Sequence, residues 1–222
     1  STALDLIDIN LYDHHNRGCY ISVQLAKALR FSTEEINDIY MAAIMHDIGA
    51  IAFSDRMKLL NFEAKDAHHH AQLGYELLSK FSPFSSFAPL VRFHHVKWEN
   101  GKGRRAFGEK VPYASHVIHL ADRIAVLLDR RKPVFGQVKS ISERIIKHSG
   151  RFFVPAFVDA FLDISKREAF WLDLKNSQMD RVIQKFSPLP KTSLTMENLT
   201  ELARFFSLII DTRSRFTATH SS

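Results

Sequence analysis

The segment Ala43-Ile44-Met45-His46-Asp47-Ile48-Gly49 constrains this chain most, because it places an imidazole and a carboxylate side by side at the end of an apolar run. Ile36, Ile39, Ala43 and Ile44 recur at helical spacing, so the pattern predicts a core-facing helix that delivers His46 and Asp47 at its end. Ser32, with Glu35 three residues later, reads as a capping box opening that helix. A buried carboxylate beside a buried imidazole is costly unless a proton, a charge or a metal satisfies both. The pair is therefore a candidate site.

Matching pieces are spread along the chain. His14 stands three residues before Arg17, His70 closes the triplet His68-His69-His70, His94 and His95 are adjacent, and Asp122 follows Leu120-Ala121 in another apolar helical pattern. These nitrogen and oxygen donors suit borderline or hard transition metals, and two carboxylates allow one of them to bridge a metal pair. The spacing is too wide for a zinc finger and includes no Cys ligand.

In order, the chain carries H-x-x-R (His14 to Arg17), H-D-I-G (His46 to Gly49), H-x-x-x-G (His70 to Gly74), H-H (His94, His95) and L-A-D-R (Leu120 to Arg123). This order resembles the HD-GYP branch of the HD metal-dependent phosphohydrolase superfamily, and Ser149 to Phe161 is similar to the segment that ends that family's core. The likeness runs from about His14 to Leu162. It implies an all-α HD-domain helical bundle with additional C-terminal helices, and two divalent ions drawn from iron, manganese, nickel or zinc. Carried over residue by residue, one ion takes His14, His46, Asp47 and Asp122, and the other takes Asp47, His70, His94 and His95, with Asp47 bridging. The implied activity is hydrolysis of a phosphodiester, with a phosphorylated small molecule or a cyclic dinucleotide as substrate.

Three departures bear on catalysis. Ala50 stands where the family usually has Lys after H-D-I-G, Gly103-Arg104-Arg105 stands where it has Gly-Tyr-Pro, and Asn10 replaces a Glu that some members use toward a third metal. Arg104 or Arg105 is the expected substitute for the missing lysine, so Asp47, Arg104 and Arg105 form the candidate catalytic set. Arg17 reads as a structural partner of a buried carboxylate. Taken singly, His15, His68, His69, His116, His119, His148 and His220 read as ordinary core or surface residues. The alternative reading is a metal-binding, catalytically degenerate domain that regulates an adjacent HD-GYP domain in the same polypeptide, and a further one is a purely structural helical interaction domain.

The 222 residues, 45% hydrophobic and 24% charged, are those of an ordinary globular chain long enough to bury a sizeable core. One cysteine, Cys19, excludes an internal disulfide framework and fits a reducing cytoplasm. No apolar run reaches membrane-spanning length and no signal peptide opens the sequence. Within the net charge of +6, two basic clusters stand out, Lys97, Lys102, Arg104, Arg105 and Lys110 after the His pair, and Arg123, Arg130, Arg131 and Lys132 after Asp122. Both clusters adjoin proposed ligands, so each reads either as a field that attracts a phosphorylated substrate or as a solvated basic surface. Without an aromatic-interleaved basic stripe, nucleic acid is not an expected partner.

Further along, helices are expected within residues 3–30, from an Asp66 N-cap to about Lys80, and in a short run carrying Leu90, Val91 and His94. A loop should span Val96 to Val111, with Pro112 opening the helix that presents Asp122. Helices at about 138–149 and 155–164 follow, and no strand pair is expected. Glu168 to Phe186 has helical spacing, and Thr195 begins a helix with Leu199, Leu202, Phe206 and Ile209 on its apolar face. The resulting organisation is a metal-binding domain at 1–165, a helical extension at 166–211 and, at 212–222, the start of a second HD-type domain. There, Arg213-Ser214-Arg215-Phe216-Thr217 leads to His220 much as a helix approaches a first metal ligand. Residues 216–222 are expected to lack packing partners.

Overall fold

The computed structural model describes residues 14–50, 61–62, 67–129, 131–176, 179–186, 195–197 and 199–207. The expectations for Asn10, Asp66, Arg130, Ile209 and the tail through His220 lie outside the described residues. The helices are α1 (His14–Ala28), α2 (Thr33–Met45), α3 (Ala67–Leu78), α4 (Ala88–Arg92), α5 (Tyr113–Leu127), α6 (Val138–Lys147), α7 (Pro155–Ser165), α8 (Glu168–Lys175) and α9 (Met179–Phe186). The fold is all-α, as expected. No described helix is long and apolar enough to cross a membrane.

Local chemistry explains why α2 starts where it does. Glu35 N donates to Ser32 Oγ at 3.2 Å while Ser32 N donates to Glu35 Oε2 at 2.8 Å, so two of the amides that lack helical partners at a helix start are satisfied reciprocally. The helix ends at Met45, with His46 as its C-cap. α1 lies at the centre, packed most extensively against α5 and α2, with Ile21, Leu25, Ala26, Ile118, Ala121 and Ile124 in one shared core. Burying each such Leu or Ile contributes about 1.5–3 kcal/mol. This packing fixes the ends of α1, α2 and α5 relative to one another.

Two glycines let the turn after α2 approach α3. A Cβ on Gly49 would collide with His70 O and lie 2.5 Å from Gly74 N, and a Cβ on Gly74 would sit 3.1 Å from Val91 Cγ1. The H-D-I-G turn thus lies directly against the backbone of the helix that carries His70.

Several expectations need correction. The 96–111 segment is not all loop: Arg105–Ala106 (β1) pairs antiparallel with Glu109–Lys110 (β2), Arg105 opposite Lys110. Its two turn residues, Phe107 (φ 51°) and Gly108 (φ 79°), both take left-handed dihedrals, the geometry that matches strand twist in a two-residue hairpin. Phe at the first of these positions gives no sequence signal for such a turn. His94 follows α4 instead of lying on it. Pro112 is the N-cap of α5 because its ψ of 131° is not helical, so Tyr113 is the first helical residue. The 168–186 segment splits into α8 and α9, since Asn176 leaves α8 in an extended conformation (φ −62°, ψ 127°). Leu199 and Phe206 are exposed, whereas Phe205 is buried against Phe81 and Phe84 at ring separations of 5.8 and 5.4 Å.

Candidate metal centre

Five parts of the chain converge on one buried cluster: the first residue of α1 (His14), the end of α2 (His46, Asp47), α3 (His70), the turn after α4 (His94, His95) and α5 (Asp122). All seven side chains are buried. Helix ends help to aim them, because the last carbonyls of a helix lack intrahelical donors. His46 Nδ1 donates to Ala43 O at 2.8 Å and His94 Nδ1 to Val91 O at 2.6 Å, each three residues back at the end of its helix. With Nδ1 occupied as a donor, the neutral ring presents the Nε2 lone pair to the cluster, the arrangement that metal-binding histidines use.

Asp47 stands between two groups of nitrogens. Its Oδ2 lies 3.2 Å from His46 Nε2, and its Oδ1 lies 3.1 Å from His70 Nε2 and 3.7 Å from His94 Nε2. On one side, donor atoms of His14, His46 and Asp122 all lie within 4.8 Å of one another; on the other, those of Asp47, His70, His94 and His95 do. Asp47 Oδ1 and His46 Nε2 are buried without a hydrogen-bond partner, and the Nε2 atoms of His70, His94 and His95 face one another at 3.4 and 3.2 Å. Three imidazole nitrogens converging on an unsatisfied carboxylate oxygen leave a strong need for a cation. The residues present fit a metal site.

Asp122 is held by its neighbour in sequence. Arg123 is buried, and its Nε and Nη2 both donate to Asp122 Oδ2, the former at 3.0 Å, while Nη1 donates to Asn61 O at 2.6 Å. That leaves Oδ1 for His14 Nε2 at 3.0 Å and His46 Nε2 at 3.6 Å. Arg123 is therefore not part of a basic surface. Arg131 and Lys132 are exposed and pair with Asp129 instead of facing the cluster. Arg17 is itself buried, in α1.

The cluster is electrostatically coupled. Burial opposes ionisation of Asp47 and Asp122, yet both carboxyls are held well below the usual range, Asp47 by the charge on His46 with His15 and His70 beside it, and Asp122 mainly by Arg123 and His14. Burial works against a charged His46, but Asp47 and Asp122 raise it well above its ordinary value. Burial pushes His94 down to about 4 and His95 well down, with the neighbouring imidazoles adding to the effect. Neutral imidazole and ionised carboxylate are the forms a metal takes.

The remaining candidates scatter. Ala50, at the expected lysine position, is fully buried. Arg105 lines a cavity of about 420 Å3 together with His95, Lys97, Lys102, Glu99 and Phe107, whereas the Arg104 guanidinium lies 5.1 Å over the Trp98 ring and outside that lining. His68 and His69 are exposed; His116, His119 and His148 are buried, the first against Trp98, the second against Phe153 and the third donating to Arg144 O. Sequence reasoning missed His15, whose Nε2 lies 3.5 Å from Asp47 Oδ2. Its position next to His14 hides it, since adjacent helical residues rarely face one site.

The profile of the HD domain family matches residues 11–129. The chain is 25% identical to the 3′3′-cGAMP-specific phosphodiesterase 1 of Vibrio cholerae over 99% of its own length and 53% of that protein's. It is 27% identical to a cyclic di-GMP phosphodiesterase of Thermotoga maritima over 72% of its length and 46% of that protein's. It is 31% identical to the cyclic di-GMP phosphodiesterase response regulator RpfG of Xanthomonas campestris, over 66% and 41%. It thus spans about half the length of the curated relatives it matches. In fold it is similar to the crystal structure of a cyclic GMP-AMP-specific phosphodiesterase of V. cholerae, with a TM-score of 0.74 at 19% identity, covering 99% of this chain and 60% of that one. From the converged His and Asp side chains, their motif order and the profile match, the chain belongs to the HD domain family, in its HD-GYP type.

Proposed function

We propose that this chain is a metal-dependent phosphodiesterase domain acting on a cyclic dinucleotide, with His14, His46, Asp47 and Asp122 holding one divalent ion and Asp47, His70, His94 and His95 the other. The observation that carries this reading is Asp47, whose two carboxylate oxygens face opposite donor groups, His46 at 3.2 Å and His70 at 3.1 Å. When bound, a metal pair supplies an activated water and charge neutralisation for the phosphoryl oxygens. The chain's own part is to hold both groups rigidly, since the site hangs on helix ends fixed by a common core. Relatives named for cyclic di-GMP and 3′3′-cGAMP support the substrate class.

The cavity beside His95 is where we place the rest of the substrate. Lys97, Lys102 and Arg105 bring three cations against one anion, Glu99, which favours a phosphate. We assign phosphate binding to Arg105 ahead of Arg104, because Arg105 lines the cavity and Arg104 lies over Trp98 outside it. The test is turnover of bis(p-nitrophenyl) phosphate, 3′3′-cGAMP and cyclic di-GMP by the chain reconstituted with manganese or iron. Metal-dependent turnover that Asp47→Ala abolishes supports the reading. A fully metallated sample inert toward all three refutes it.

A buried Ala50 in place of lysine favours a second reading, a metal-binding regulatory domain of low activity that acts on an adjacent HD-type domain of the same polypeptide. Full metal content without turnover, together with altered activity of the longer protein when ligands here are substituted, would distinguish it.

A further inference from the structure

His15 belongs to none of the motif ligands, yet it is in the cluster. Its ring is buried, Nε2 lies 3.5 Å from Asp47 Oδ2, and the ring centroids of His15 and His46 are 5.3 Å apart. Donor atoms of His15, His46 and Asp47 lie within 4.8 Å of one another, a third grouping that shares two residues with the metal centre already described. Its Nδ1 is buried without a hydrogen-bond partner, so no carbonyl fixes its tautomer as Ala43 and Val91 fix those of His46 and His94. A hydrogen-bond partner that merely orients Asp47 would be expected closer than 3.5 Å, since charge-assisted N–H···O contacts usually fall near 2.7–2.9 Å. The ring sits on the Oδ2 side of Asp47, the side that His46 also faces.

We propose that His15 is an additional protein donor to the ion at the His46–Asp47 edge, filling a coordination position that a catalytic site leaves to solvent or substrate. Catalytic metal sites keep an open position and structural ones close it. With His15 as a further donor, an ion at the His46–Asp47 edge would be held more tightly than one held by His70, His94 and His95, the group that adjoins the basic cavity through His95. The inference rests on the two-ion reading above.

The experiment loads wild-type chain, His15→Gln and His15→Ala with cobalt(II). It measures stoichiometry, affinity by competition with a chelator, the visible absorption of the bound cobalt, and imidazoles per metal by X-ray absorption. Gln keeps a hydrogen-bond donor for Asp47 without an imidazole, so it separates ligation from positioning. Both variants should hold one of the two ions at least about tenfold more weakly, with a changed visible spectrum and fewer imidazoles per metal. His15→Gln matching wild type in affinity, spectrum and imidazole count would overturn the assignment, leaving His15 a neighbour of the site. Helical circular dichroism checks folding, and if the Ala variant does not fold, the Gln variant carries the test. A wild-type chain that takes up no cobalt at all defeats the metal-centre reading itself, a result distinct from a loaded wild type with an indifferent His15→Gln.

Discussion

Arg123 holds one oxygen of Asp122 while the other faces His14, so a residue outside the proposed ligand set orients one inside it. Removing one partner of a buried ion pair leaves an uncompensated charge and costs about 3–5 kcal/mol. Arg123→Met should therefore lower unfolding free energy by that order and also weaken metal retention by about 10- to 100-fold, as loss of an outer partner of a ligand does. Urea titration and chelator competition measure the two effects; metal affinity at the wild-type level would show that Asp122 is aimed by something else. Asp47→Ala should lose both ions, and elemental analysis showing an undiminished complement would remove it as the bridge. The pH dependence follows from His46. Its value in the metal-free chain is raised, so its ion pairing stabilises fully below the ordinary value of 6.5 and is lost as pH rises through the raised one. A metal must also displace that proton, and so binds better in alkali. The rise in melting temperature on adding manganese should accordingly grow from about pH 6 to about pH 8. Thermal melts at both ends check the sign.

Among the elements, the contact between the H-D-I-G turn and α3 is the least forgiving. A methyl group on Gly49 meets backbone on two sides, His70 O and Gly74 N, and backbone cannot rotate away as a side chain can. Gly49→Ala should destabilise by about 1–3 kcal/mol or more, and should displace His70 enough to weaken the ion it serves. Equal stability in a urea titration would mean that α3 can retreat. The same elements show what a sequence discloses. The residues that converge on the cluster and the Ser32–Glu35 box were legible because each belongs to a local pattern, a spacing or a cap that needs no knowledge of the rest of the fold. His15 was not, because its proximity to Asp47 depends on how α1 crosses α2, and neither helix encodes that crossing alone. Arg123 looked like one cation of a basic run until the turn at Asn61 and Phe62 was seen to cover it. The hairpin escaped because Phe107 adopts a backbone conformation usually left to Gly or Asn.

In the whole molecule, α1 links the metal centre to the C-terminal helices. Its first residues, His14 and His15, lie in the cluster, while further along Tyr20 Oη donates to Asp173 Oδ2 of α8 at 2.8 Å and stacks on Phe170 at 5.7 Å. α9 packs on α1 as well, so the segment after residue 166 rests on the same helix that carries His14 into the cluster. A rigid helix with ligands at one end and an interface along its side transmits any tightening on metal binding, provided that the α8–α9 packing has a looser alternative to bias. Amide exchange in residues 168–186 should then slow when manganese is added, even though these helices contribute no ligand. Tyr20→Phe should cost about 1 kcal/mol, leave metal stoichiometry unchanged and reduce that slowing, because it removes the hydrogen bond without emptying the packed ring position. Exchange in α8 and α9 that ignores the metal would confine its influence to the cluster and remove the structural basis for the regulatory reading proposed above. Slowing that persists in full in Tyr20→Phe would instead assign the coupling to the apolar contacts of α9 with α1.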